Sequence, residues 1–299
     1  MTSTGQVGSE DLVRRAVAAF NSGDHAQARD LCELGLKRHP GDPALCHLLA
    51  AVLFAGSDLP AARERIEASL ASRPDNVPAL ILAGRIARAE GRFDAALQVL
   101  DRAARRSSRV EILLERARTF DEVGDATAAG AAWTRVLQSD PKSVEALARL
   151  GRLAWERGAP AEAEGFLERA VAGGGHPAQW FDLGLVRQDM RKFEAAAEAY
   201  RQVLAKSPDA AEAAVNLGIV LQETGDLDRA MAAYSQAYRL KASTFGVIAM
   251  ALTSAPSGRL WLDEEVLRRL LEQFQEERAA VLREDKGLKQ FGDSNAEPL

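Results

Sequence analysis

The sequence predicts an all-α chain, a solenoid of about seven helix–turn–helix repeats closed by C-terminal capping helices. Three observations predict it. The stretch WFDLGLVRQDMRKFEAAAEAYRQVLAKSP, from Trp180 to Pro208, recurs 34 residues later as AVNLGIVLQETGDLDRAMAAYSQAYRL. Small residues return at that same interval along most of the chain. The composition is 47% hydrophobic but only 6% aromatic, with abundant alanine, which suits closely approaching helices.

The repeats start near residues 9, 43, 77, 110, 144, 177 and 211 and span about 9–242; residues 1–8 precede them as a disordered N-terminus. In each first helix a small residue sits near the middle: Ala16, Ala50, Gly84, Ala117, Gly151, Gly184 and Gly218. In each second helix another follows: Ala28, Ala62, Ala96, Ala129, Ala163, Ala196 and Ala230. Four residues later comes a larger one: Cys32, Ile66, Leu100, Trp133, Leu167, Tyr200 and Tyr234. Small against large lets two helices interlock at about 8–10 Å. Turn glycines (Gly23, Gly56, Gly91, Gly124, Gly158, Gly225) supply the positive φ that ends a helix. Pro40, Pro74, Pro141 and Pro208 close four of the seven copies.

This pattern resembles the tetratricopeptide repeat family, whose copies carry a Trp, Leu-Gly, a Tyr, a small residue, a Phe or Tyr, Ala and a closing Pro. The copy at 177–208 matches most of it, with Arg187 at the usual tyrosine and Arg191 at the usual turn glycine. The resemblance implies a right-handed α-α superhelix with first helices lining a concave, ligand-binding side.

The small residues are spaced 34, 34, 33, 34, 33 and 34 apart. Both short steps fall where the closing proline is missing, at RRSSRVE (105–111) and GGGHP (173–177). Gly173–Gly175 therefore read as a shortened turn needing unusual backbone angles, with a flexible joint as the alternative. A phosphate cradle lacks Gly-Lys-Ser/Thr and a preceding strand.

Beyond Leu240 the repeat degrades. Residues 241–255 read as an eighth first helix without the usual second helix. Asp263 is a candidate N-cap, and Leu262 and Leu267 a candidate hydrophobic staple. A helix to about Arg283 carries the stripe Leu267, Leu270, Leu271, Phe274, Val281 and Leu282. It caps the last repeat's core or docks a partner; the residues from 286 form a disordered tail.

The length of 299 residues would suggest two ordinary domains, but a repeat array grows one continuous core. Net charge is −5, which argues against nucleic acid or an anionic membrane as partner. Of 38 cationic residues only seven are lysine. No signal peptide and no membrane-length apolar run is apparent, so the cytoplasm is the default location. Cys32, His39, Cys46 and His47 lack zinc spacing, and both cysteines fall at core positions. No catalytic motif or cofactor fingerprint appears, so the expectation is no enzyme, no metal and no cofactor.

What remains is the groove that the resemblance implies. Its inner positions are Phe20 and Asn21, His47 and Phe54, Arg85 and Arg88, Arg118, Arg152 and Trp155, Phe181 and Gln188, and Gln222. Arg85, Arg118 and Arg152 occupy one equivalent position in three successive repeats, a cationic ladder flanked by aromatics. That suits an extended peptide with acidic side chains or a partner protein, unless Glu111, Asp121, Glu122, Glu145 and Glu156 neutralise the ladder. The chain is then a scaffold, adaptor or chaperone. The alternative is a targeting subunit that docks an enzyme, such as a glycosyltransferase or methyltransferase, through its C-terminal helix. Self-association through a terminal repeat is a further expectation.

Overall fold

The computed structural model describes residues 8–173, 175–254 and 264–273. They are helical and contain no strand. The chain forms two compact units that divide after Pro141.

The first unit holds four helix pairs: α1 (Ser9–Asn21) with α2 (His25–Arg38), α3 (Pro43–Ala55) with α4 (Leu59–Ser72), α5 (Val77–Ala89) with α6 (Phe93–Arg106), and α7 (Val110–Val123) with α8 (Ala126–Ser139). The second holds α9 (Val144–Glu156) with α10 (Pro160–Ala172), α11 (Pro177–Asp189) with α12 (Phe193–Lys206), and α13 (Ala211–Glu223) with α14 (Leu227–Leu240). A 3-10 turn, Ala242–Thr244, leads into α15 (Phe245–Ser254), and α16 covers 264–273.

Each pair starts and stops for local reasons. Asp24, Asp42, Asp58, Asn76, Asp125, Ser143 and Asp226 accept first-turn N–H bonds as N-caps, each worth about 1 kcal/mol. Prolines enter the first turns of α3, α4, α5, α10 and α11, where a missing N–H costs nothing. The pairs then interlock by size. A Cβ on Gly84 or Gly151 would lie 2.7 or 2.8 Å from Leu100 or Leu167, and one on Gly184 or Gly218 would lie 2.6 or 2.4 Å from the ring of Tyr200 or Tyr234. Where the first position is alanine, Ala16, Ala50 and Ala117 are fully buried, as is Trp133.

Two turn expectations need correction. Gly56 keeps an ordinary φ of −83°, and the left-handed position is taken by Ser57 at φ 62°. Gly173 has φ −77° and ψ 9°, and Gly175 is not left-handed either. Glycine is required at 175 by a close approach: a Cβ there would sit 2.7 Å from the Val171 Cα. Gly174 lies outside the described residues.

Arg191, at the usual turn glycine, is forced left-handed at φ 56°, with its guanidinium 5.3 Å from the Phe193 ring centre. A side chain in that conformation costs about 1–2 kcal/mol, while a glycine gives back about 0.5–1 kcal/mol through the freer unfolded chain. Arg191→Gly should therefore raise stability by about 0.5 kcal/mol, read as a higher urea midpoint; a lower midpoint would mean the Phe193 stack outweighs the strain. Arg187, at the usual tyrosine, reaches α10 instead, with Nε 3.2 Å from Glu164 and Nη2 2.8 Å from Glu168.

At the C-terminal end, Phe245, Ile248 and Leu252 of α15 join the core of the last repeat, and Leu267 and Leu271 of α16 pack into the same cluster. These leucines cover apolar surface that a further repeat would otherwise bury. Leu262, Asp263, Phe274, Val281 and Leu282 lie outside the described residues.

Candidate functional site

Within each unit the first helices lie beside one another, so residues at equivalent positions form a face. In the first unit this face begins apolar. Phe20 and Phe54 are half-buried against the core cluster that holds Leu12, Ala16, Leu49 and Ala50. The Phe20 ring lies 5.2 Å from that of His25. His47 is half-buried, and burial lowers its pKa, leaving it neutral near pH 7. Asn21 is exposed.

Further along, the arginines do not form a free ladder. Arg85 donates Nε to Glu115 Oε1 at 2.8 Å and Nη2 to Glu111 Oε1 at 2.7 Å. Arg88 donates Nη2 to Glu115 Oε2 at 3.2 Å and Nη1 to Glu122. Arg118 donates Nη1 to Glu115 Oε1 at 2.8 Å. Glu115 is only 1% exposed, so one buried carboxylate orients three guanidiniums. Glu111 and Glu122 close the outer side. Asp121 accepts the Trp133 indole N–H at 3.0 Å.

The second unit repeats the logic. Arg152 Nη2 lies 2.9 and 2.7 Å from the two carboxylate oxygens of Asp182. Trp155 donates its indole N–H to Asp189 at 2.6 Å. Phe181 is half-buried and meets Tyr200 edge-on, with ring centres 5.8 Å apart. Gln188 accepts the Tyr200 hydroxyl at 2.9 Å. Gln222 is 1% exposed; it accepts the Tyr234 hydroxyl at 2.8 Å and donates to the Ala251 carbonyl at 3.2 Å. It is a core residue, not a contact surface.

Glu115 and Asp182 were missed by the sequence reading, yet a signal exists. Each lies 30 residues after the arginine it holds, Arg85 or Arg152, which places it two residues before the next repeat's small position. A 34-residue spacing likewise links Arg88 to Glu122 and Trp155 to Asp189. Cys32 and Cys46 are buried, and burial pushes the Cys32 thiol up to about 12. Among the described residues no helix is long and apolar enough to cross a membrane.

A family model described as Tetratricopeptide repeat matches residues 47–110, 114–177 and 181–243, more than half of the chain. Tetratricopeptide repeat protein 8 of Caenorhabditis elegans is 26% identical over 183 residues, 58% of this chain. The chain spans 35% of that relative's length. Among solved structures, PilW, described as a widely conserved type IV pilus biogenesis factor, is 19% identical, with 73% of this chain and all of that one aligned at a TM-score of 0.63. Pseudomonas aeruginosa pilF is 16% identical over 67% of this chain and 92% of that one, with a TM-score of 0.61. MamA from Desulfovibrio magneticus RS-1 is 21% identical over 56% of this chain and 97% of that one, with a TM-score of 0.51. At these identities the likeness is one of fold.

Proposed function

Since the chain belongs to the tetratricopeptide repeat family, whose fold makes protein–protein interaction scaffolds, we propose that it docks a partner protein along its first-helix face, with an acidic stretch of that partner on Arg85, Arg88 and Arg118. The supporting observation is the buried Glu115. It fixes three guanidiniums in place before any ligand arrives, which lowers the ordering cost of binding.

The outer partners are exchangeable. Glu111 and Glu122 are each 44% exposed, and pairs at such positions are worth about 0–1 kcal/mol. A partner's carboxylates can take their places while Glu115 stays put. Phe20 and Phe54 add an apolar flank in the same unit, with Asn21 and His47 as its polar members, and the second unit by itself offers Trp155, Phe181 and Gln188. Docking through the C-terminal helix is the weaker reading, because Leu267 and Leu271 are already spent on the core.

The test uses fluorescein-labelled tetra-glutamate and the full chain. Replacing both competing carboxylates, Glu111→Gln with Glu122→Gln, should tighten binding about fivefold. Unchanged or weaker binding would sink the reading.

A further inference from the structure

A cavity of about 540 Å³ opens in the second unit between α11, α12 and α13. It is large enough for one long side chain with part of its backbone. Phe181, Val203, Ala178 and Ala211 supply an apolar wall. Asp209 and Glu212, both exposed, stand on the α13 side, and neither makes a side-chain ion pair among the described residues.

Two cations also border the cavity, and their situations differ. Arg152 is neutralised by both oxygens of Asp182. Lys241 is the C-cap of α14, where its charge complements the helix's negative end. Two unpaired carboxylates against this one ammonium leave the rim at a net charge of −1.

We infer that this cavity receives a lysine or arginine side chain from the docked partner. The aliphatic stem packs on Phe181 and Val203, and the charged head sits between Asp209 and Glu212. The segment that docks on this unit thus carries a basic residue. This inference rests on docking along the first-helix face but concerns a separate cluster, so the two can fail independently.

The experiment titrates fluorescein-labelled tetra-lysine into the full chain at low ionic strength, with circular dichroism to confirm that each variant is folded. Asp209→Asn with Glu212→Gln should weaken binding about fivefold or more. Glu162→Gln with Glu194→Gln removes the same charge from the second helices of the same unit and should leave binding unchanged. Equal weakening by both pairs would reduce the effect to general charge and overturn the inference, as would no weakening by the first pair. A chain that ignores tetra-lysine altogether also overturns it, while leaving the tetra-glutamate result standing.

Discussion

Gly218→Val should cost about 3 kcal/mol, the largest loss expected from any single substitution between paired helices. A Cβ at 218 would lie 2.4 Å from Cε1 and 2.5 Å from Cδ1 of Tyr234. That ring is fully buried, and its hydroxyl is tied to Gln222 at 2.8 Å, so it cannot yield without breaking a buried hydrogen bond. Urea unfolding measures the loss. Two companions sharpen the result. Gly165 is helical and exposed with nothing near its missing Cβ, so Gly165→Ala should stabilise by up to about 1 kcal/mol. The double change Gly218→Ala with Tyr234→Ile copies the native pair Ala50 and Ile66 and should recover part of the loss. If Gly218→Val is no worse than an average surface change, interlocking by size is not what joins the helices of a repeat.

Glu115→Ala should destabilise the first unit by about 2–3 kcal/mol. Removing one side of a buried ion pair costs about 3–5 kcal/mol. The figure is discounted because Arg85, Arg88 and Arg118 are 33%, 20% and 34% exposed and regain some water. Glu115→Gln should fall between, since an amide oxygen still accepts one bond. Glu122→Gln should cost under about 1 kcal/mol, because that carboxylate faces solvent. Salt should weaken the contribution of Glu122 more than that of Glu115. Similar losses for Glu115→Ala and Glu122→Gln would mean that the buried carboxylate has no special role.

The repeat register was legible because it is written in side-chain volume. A glycine in mid-helix followed sixteen residues later by tyrosine or leucine has one economical meaning, and the Cβ distances at Gly84, Gly151, Gly184 and Gly218 bear it out. The turns were legible less fully. Which of Gly56 and Ser57 goes left-handed depends on where the helix hydrogen bonds stop, and the residue types favour the wrong one. For Gly175 the reason lay in a neighbour's backbone, and sequence does not display proximity.

The face was the least legible part. Arginines at one position in successive repeats looked like a free cationic row, since residue type carries charge but not pairing. Glu115 and Asp182 sit on the adjacent first helix, 30 residues beyond Arg85 and Arg152, at a position where other repeats carry leucine, asparagine or arginine. Gln222 failed for a related reason. Equivalent positions are half-buried in the other repeats, but here Tyr234 and the Ala251 carbonyl enclose it.

The most direct test of docking on the first-helix face is site-specific photocrosslinking in cells. A benzoylphenylalanine replaces either Asn21, exposed on that face, or Leu34, 40% exposed on α2. Partner adducts from position 21 and none from position 34 are the predicted result. Adducts from position 34 alone would place the partner on the second helices and contradict the account.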